Sequence, residues 1–252
     1  WTQTHGKYWV GLGYTQTVMT NWGVEFNDTY TINLKDSSVT GNMVCGVEKS
    51  QVRGNPDRKG DVVTTIRSDW SASMQKGVTV NLNNSSVFGS LTTGHKITET
   101  SLESNVNKDD TENYFFNGDA VVNVNNDSWV SSIVPSQYSS ANTATKKWTN
   151  LNGNLYVNVD RNSQVSNLIN NDGQMYGSAK SVTLDTEREH TDVLGTIEQL
   201  VHVDQIRVGA RMNVNNMELA DGGMKIDIKN PANWNTGDVI LENLGSRVDQ
   251  SK

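Results

Sequence analysis

Apolar and polar residues alternate along most of the chain, and one form of this alternation recurs. The recurring segments are INLKDSSVTG (32–41), VNLNNSSVFG (80–89), VNVNNDSWVS (122–131) and VNVDRNSQVS (157–166). Each begins with an apolar residue, Asn and a second apolar residue, and residues two apart share one face of a β-strand. The pattern therefore predicts strands whose inner face is apolar. The outer face carries Asn33, Asn81, Asn123 and Asn158.

Helical periodicity is nearly absent from the chain. The best helical candidate, TDVLGTIEQLVHVDQI (191–206), contains Gly195 and fits short strands equally well. Turn-forming pairs separate the alternating segments, including Asn117–Gly118, Asn152–Gly153 and Asp221–Gly222. The sequence therefore predicts an all-β fold.

Repetition of one unit favours a single right-handed parallel β-helix, or β-solenoid. Stacked coils of roughly 20 residues then contribute short strands joined by polar corners. The four units start 48, 42 and 35 residues apart, which predicts about two coils per interval with unequal insertions. The candidate insertions are 53–61, 105–113 and 135–147. A β-sandwich in which similar strands recur by chance is the alternative interpretation.

The gapless alignment of the four units also predicts side-chain directions. Leu82, Val124 and Val159 are expected to be buried. After the corner, the inward position falls on Val39, Val87, Trp129 and Gln164, with Val165 as the apolar substitute for Gln164. Asn suits the corners because it tolerates positive φ and its amide can bond the amide one coil away.

Two regions are predicted along the chain. Residues 1–30 do not fit the repeated unit and are expected to form an irregular N-terminal cap that protects the end of the core. Residues 31–252 are expected to form the β-solenoid. If coils with the unit alternate with coils that lack it, the four Asn cannot form a continuous ladder, which favours a role for them in binding.

Composition narrows the function classes. The chain has 252 residues, 31 of them Asn, and a net charge of −7 with no basic stripe. This balance argues against nucleic acid as a partner, because binding to phosphates rests on Lys and Arg. No apolar run approaches the ~18 residues of a membrane span. The single cysteine, Cys45, has no basic neighbour and is expected to be a small buried residue rather than a nucleophile.

Candidate chemistry is sparse. The chain has no GxSxG, HExxH, CxxC or P-loop motif, and no catalytic residue or cofactor is assigned. Two His–x–Asp pairs, His190/Asp192 and His202/Asp204, could present imidazole and carboxylate on adjacent strands for a divalent metal. We expect these four residues to be exposed polar residues on strands, so no metal site is predicted.

Acidic and aromatic clusters give two further sets of candidates. The acidic residues are Asp109, Asp110, Glu112, Glu187 and Glu189, which are expected in solvated loops rather than in a hydrolase or lyase site. The aromatic residues are Trp9, Tyr14, Trp22, Trp129, Tyr138 and Trp148. If these rings are exposed, they could stack on sugar rings. For Trp, however, burial in the core is the usual state and is the expected one here.

The repeated units and the later run MNVNNMELADGGMKIDIKNPANWNTGDVILENL (212–244) resemble the passenger domains of Gram-negative type V autotransporters, including the self-associating adhesins. The family's coil has the form apolar–x–apolar–x–x–x–S–x–apolar, and the resemblance covers most of residues 31–244 in rhythm rather than in a diagnostic motif. It implies a secreted or cell-surface adhesin that binds host matrix protein, a glycan or copies of itself. The outward Asn33, Asn81, Asn123 and Asn158 are the expected binding residues. The alternative is a carbohydrate-active solenoid enzyme or a phage tail-spike module.

Overall fold

The structure is a computed structural model. It describes residues 2–10, 13–53, 62–101, 106–140, 151–170, 176–186, 194–209, 212–228 and 239–241. Side chains are described in 25–48, 74–96, 116–137, 153–170, 178–186, 197–209 and 214–227. The ordered elements in these ranges are all strands, which confirms the all-β prediction. No helix there is long and apolar enough to cross a membrane.

Strands follow one another closely along the chain. They are β1 (Thr2–Val10), β2 (Gly13–Phe26), β3 (Tyr30–Lys35), β4 (Ser38–Val39), β5 (Met43–Val44), β6 (Glu48–Arg53), β7 (Val62–Met74), β8 (Val78–Asn83), β9 (Ser86–Thr92), β10 (Lys96–Ser101), β11 (Val106–Phe116), β12 (Ala120–Asn125), β13 (Trp129–Val134), β14 (Ser136–Ser140), β15 (Leu151–Val159), β16 (Gln164–Ile169), β17 (Tyr176–Gly177), β18 (Ala179–Thr186), β19 (Leu194–Val201), β20 (Gln205–Val208), β21 (Met212–Glu218), β22 (Lys225–Ile228) and β23 (Val239–Leu241). The segment 191–206, the best helical candidate, contributes strand β19 and part of β20.

These strands form three sheets. Sheet A contains β1, β2, β3, β7, β8, β11, β12, β15, β18, β20 and β22; sheet B contains β4, β5, β9, β13, β16, β19, β21 and β23; and sheet C contains β6, β10, β14 and β17. The described pairings are parallel except for β1 with β2 and β14 with β17. Parallel neighbours cannot be joined by a tight hairpin and need a longer connection. Here the connection passes through the other sheets.

The recurring segments are direct neighbours in sheets A and B. Strand β8 pairs with β3 and β12, and β12 pairs with β15. The prediction of two coils per interval is therefore wrong. The chain leaves one strand of sheet A, runs once through the other sheets and returns to the adjacent strand of sheet A; each such stretch of chain is called a passage. Successive passages shorten from 48, 42 and 35 residues to 27 and then 22 residues.

Extra strands account for the length of the first passages. The long strands β7 and β11 lead into β8 and β12 within sheet A, and β6, β10 and β14 add sheet C. The predicted insertion 105–113 falls mostly in β11, so its assignment as a loop was wrong. The predicted insertion 135–147 contains β14, and its remainder after residue 140 lies outside the described residues, as does most of 53–61.

The first segment is regular rather than irregular. Strands β1 and β2 form an antiparallel hairpin, in register from Thr2 opposite Asn21 to Val10 opposite Gly13. Strand β2 then pairs in parallel with β7, with Trp22 opposite Trp70. The predicted irregular structure of residues 1–30 is thus replaced by two strands that extend sheet A.

The core is built from the inward residues of sheets A and B. Leu82, Val124 and Val159 are buried, as predicted from the alternation. The corner after β12 is one residue longer than the gapless alignment assumed. Val130, not Trp129, therefore pairs with Val87 and enters the core. Six apolar residues at the start of the first passage are only half-buried against this core: Phe26, Tyr30, Ile32, Leu34, Val39 and Met43.

Candidate functional site

A ladder of asparagine amides crosses the outer face of sheet A. The Nδ2 of Asn81 donates to the Oδ1 of Asn33 (2.8 Å), and the Nδ2 of Asn123 donates to the Oδ1 of Asn81 (2.7 Å). The Nδ2 of Asn158 donates to the Oδ1 of Asn123 (2.8 Å). All four predicted binding residues therefore stand in one continuous row, and the expectation that they could not form a ladder was wrong.

The geometry of the ladder leaves hydrogen-bonding capacity in the row. An asparagine amide has two N–H donors and two acceptor lone pairs, and each ladder bond uses one of each type on its two partners. Asn33 is exposed and the other three side chains are half-buried, so solvent reaches the row. Fixed amides lose little rotamer freedom when a partner binds. The row thus combines a structural bond with a preorganised polar surface.

Charged residues continue the same row beyond the asparagines. Asp185 pairs with Asn158 in register, Arg207 with Asp185, and Asp227 with Arg207. The Arg207 guanidinium lies 3.9 Å from the Asp185 carboxylate. The outer face of sheet A is therefore a column of seven hydrogen-bonding or charged side chains that changes from amide to ionic character along its length.

A second column, of serine hydroxyls, holds the corner between sheets A and B. The backbone N–H of Ser37 donates to the Ser85 Oγ (3.2 Å), that of Ser85 to the Ser128 Oγ (3.0 Å), and that of Ser128 to the Ser163 Oγ (3.1 Å). The last three residues are buried, so these bonds satisfy polar groups that water does not reach. The Ser85, Ser128 and Ser163 hydroxyls are therefore explained by the structure of the corner.

Asn and Asp occupy the strained positions of the same corner. Positive φ values occur at Asp36 (50°), Asn84 (48°), Asn126 (54°) and Asp127 (61°). These are residue types that tolerate the left-handed region. The Asn84 Nδ2 also donates to the Asp36 Oδ1 (2.8 Å), so the bond between these neighbouring corners joins an amide to a carboxylate rather than to the second amide that was expected.

An aromatic pair stands on the outer face of sheet B. The rings of Phe88 and Trp129 are 5.3 Å apart with an interplanar angle of 59°. Phe88 is 54% exposed, and the Trp129 Nε1 donates to the Ser166 Oγ (3.1 Å). A bulge, at which Phe88 and Gly89 lie opposite one residue of β13, interrupts the pairing of β9 with β13. Bulges re-aim side chains, and this one accompanies the outward position of Phe88.

The His–x–Asp pairs do not form a metal site in the described residues. His202 lies in a corner, where its Nε2 is 3.2 Å from the Glu218 Oε1. Asp204 faces the preceding passage and accepts the backbone N–H of Val182 at its Oδ2 (2.7 Å). The two side chains therefore serve different neighbours and do not share a strand face. His190 and Asp192 lie outside the described residues, and no group of three metal-binding residues occurs within them.

Two other groups of candidates are only partly placed. Asp109, Asp110 and Glu112 lie in β11, with the Asp109 backbone opposite Arg67. Glu187, Glu189 and Trp148 lie outside the described residues. Trp9, Tyr14 and Trp22 lie in the first hairpin and Tyr138 in β14, and their side chains are outside the described set.

Buried titratable side chains have structural roles. Cys45 is buried, as predicted, and this burial raises the pKa of its thiol to about 12. The Tyr30 hydroxyl donates to the Cys45 carbonyl, and burial raises the pKa of Tyr30 above its usual value. The buried His95 accepts the Val47 backbone N–H at its Nδ1 (3.0 Å), which requires this nitrogen to be unprotonated. Sequence reasoning did not single out His95, because a lone histidine carries no pattern.

The chain matches no protein-family model, no curated protein and no solved structure.

Proposed function

We propose that the chain is a right-handed parallel β-solenoid that acts as the binding part of an extracellular adhesin, of the autotransporter passenger type. The parallel pairing of all four repeated segments supports the solenoid form. The coil rhythm of those segments supports the family. Its expected partners are a host matrix protein, a glycan or further copies of the same chain, met outside the cell or at the bacterial surface.

The observation that carries this proposal is the asparagine row of sheet A. Four identical amides stand on adjacent strands, which are about 4.8 Å apart, and each is held by hydrogen bonds of 2.7 to 2.8 Å. A stiff, periodic row of this kind offers many weak contacts at once, so overall avidity exceeds the strength of any single contact. A partner with its own repeated polar groups, such as a polymer or another β-solenoid, suits such a row.

The test replaces the row and its neighbours separately. The first variant is Asn33→Ala, Asn81→Ala, Asn123→Ala and Asn158→Ala together. The matched control is Thr31→Ala with Thr79→Ala, which lie on the same outer face two residues away and pair with each other. Beads carrying wild type or either variant are assayed for self-aggregation and for attachment to immobilised matrix proteins and glycans.

We expect wild type and the threonine control to adhere, and the asparagine variant to adhere much less while keeping its β-type circular dichroism. A wild-type protein that attaches to nothing in the panel would contradict the adhesin proposal. If the folded asparagine variant adheres as well as wild type, the asparagine row is not part of the binding surface. The adhesive surface would then lie on another face of the molecule.

A further inference from the structure

Charge is absent from one continuous part of the outer surface. The four segments 37–47, 84–95, 128–137 and 162–170 carry the first four passages through sheet B and contain no Lys, Arg, Asp or Glu. Their strands span about 14 Å, from three spacings of 4.7–4.9 Å. Charge returns at the next strand, β19, with the exposed Glu198. In a chain with a net charge of −7, this uncharged area is a distinct surface.

The aromatic pair lies inside this uncharged area. Phe88 projects from the bulge, and Gly89 beside it packs so closely on the backbone of Gly41 that a larger residue would not fit. The Trp129 ring is held by its hydrogen bond to Ser166. The hydrogen bond thus holds the Trp129 ring, and Phe88 packs against that ring while remaining more than half exposed.

Neutral hydrogen-bonding groups surround the rings. Asn167 donates through its Nδ2 to the Ser131 carbonyl (2.8 Å), and the exposed Asn42 accepts the Ser90 N–H at its Oδ1 (2.9 Å). Amides and hydroxyls of this kind can donate and accept in the same contact. Carbohydrate hydroxyls need that combination.

We propose that the outer face of sheet B binds a neutral glycan, with Phe88 and Trp129 as the stacking platform. This inference rests on the proposed adhesive function and assigns a ligand class to a second surface, separate from the asparagine row. The C–H groups on one face of a pyranose ring carry partial positive charge and meet the negative face of an aromatic ring. The sugar hydroxyls bond the surrounding amides and serines. Acidic polysaccharides are disfavoured, because the patch offers no cation and the whole chain is negative.

The test measures binding of oligosaccharides by isothermal titration calorimetry. The probes are neutral hexasaccharides of glucose, mannose and galactose, with oligogalacturonate and heparin fragments as acidic probes. The variants are Phe88→Ala, Trp129→Ala and Phe88→Leu, which keeps an apolar side chain but removes the ring. The matched control is Tyr156→Ala, because Tyr156 is an exposed aromatic residue on sheet A (36% exposed).

We expect at least one neutral glycan to bind wild type and Tyr156→Ala equally. Each loss of a ring should weaken binding about two- to thirteenfold, as an aromatic contact of about 0.5–1.5 kcal/mol requires. Phe88→Leu should weaken it as Phe88→Ala does. Melting curves identify any variant that loses binding by unfolding, and Phe88→Leu then serves as the folded test.

Three results would overturn the inference: no binding of any neutral glycan, binding that the ring variants leave unchanged, or tighter binding of the acidic probes. Loss of self-association in Phe88→Ala, without glycan binding, would assign the patch to contacts between copies and would also overturn it. Adhesion of wild-type beads in the assay of the proposed function, alongside any of these results, would show that only the glycan inference fails.

Discussion

The asparagine ladder allows a quantitative prediction for the free energy of unfolding. Asn123 is an interior rung that donates to Asn81 and accepts from Asn158, whereas Asn33 is the terminal rung and only accepts. A typical intramolecular hydrogen bond contributes about 0.5–1.5 kcal/mol net. Water can reach the half-buried amides that remain, so values near the lower end apply. Asn123→Ala should therefore cost about 1–2 kcal/mol, and Asn33→Ala about 0.5–1 kcal/mol.

The combined variant tests whether these bonds act as a ladder. Each bond joins two of the four residues, so summing the four single-variant losses counts every bond twice. The quadruple Ala variant should therefore lose about half of that sum, which is the non-additivity expected of residues in contact. Urea unfolding followed by circular dichroism gives each free energy. Exposed Asn83, on the same strand as Asn81, provides the control, and Asn83→Ala should change stability by less than ~0.5 kcal/mol.

Two outcomes would refute this reasoning. If Asn123→Ala is as stable as Asn83→Ala, the interior rung contributes nothing to folding, and the row is retained for another reason. If the quadruple variant loses the full sum of the single losses, the four amides act independently and the ladder bonds do not couple them.

Three further predictions concern the core, a tight backbone contact and a buried thiol. Leu82→Asp places an unpaired charge at a fully buried position, which costs several kcal/mol of folding free energy. The variant should therefore lack the cooperative melting transition of the parent. An unchanged transition would contradict the assigned strand register. A Cβ on Gly153 would overlap the Gly118 carbonyl, whereas one on Gly222 meets no atom within 4 Å. Gly153→Ala should therefore lower the urea midpoint of unfolding clearly more than Gly222→Ala does. Equal midpoints would argue against the close approach of Gly153 to Gly118. Burial raises the pKa of the Cys45 thiol from 9.0 to about 12. As pH rises through this range, the unfolded chain therefore loses the thiol proton before the folded chain does. The free energy of unfolding then decreases between these two pH values. Wild type should therefore lose more unfolding free energy than Cys45→Ala between pH 8 and pH 11, and identical losses would show that the thiol is not protected.

The directions of side chains within a strand could be predicted from the sequence. Alternation has a period of two residues in any strand, so the inward positions of Leu82, Val124 and Val159 follow from the local pattern alone. Turn formation also depends on local sequence, so the positive φ values of Asn in the corners could be predicted in the same way. These features do not depend on which strands become neighbours.

The neighbours themselves were decided by the tertiary structure. The segment 105–113 has the polar, charged composition of a loop, yet most of it is strand β11, paired along its length with β7. Local propensity is a weak guide to strands, because pairing with an adjacent strand supplies most of the stabilisation. The interval of 48 residues between the first two units could therefore not be divided into strands and loops from the sequence.

The candidate surfaces depend on those pairings to different degrees. The sequence alone identified Asn33, Asn81, Asn123 and Asn158 as an outward set, but the hydrogen bonds between them exist only because consecutive units pair in register. The aromatic pair could not be predicted, since one additional residue in a corner turns Trp129 outward and a bulge accompanies the outward position of Phe88. A shift of one residue exchanges the two faces of a strand. The alternating pattern thus determined which residues can share a face, and only the pairing of distant strands decided which face reaches solvent and which side chains meet there.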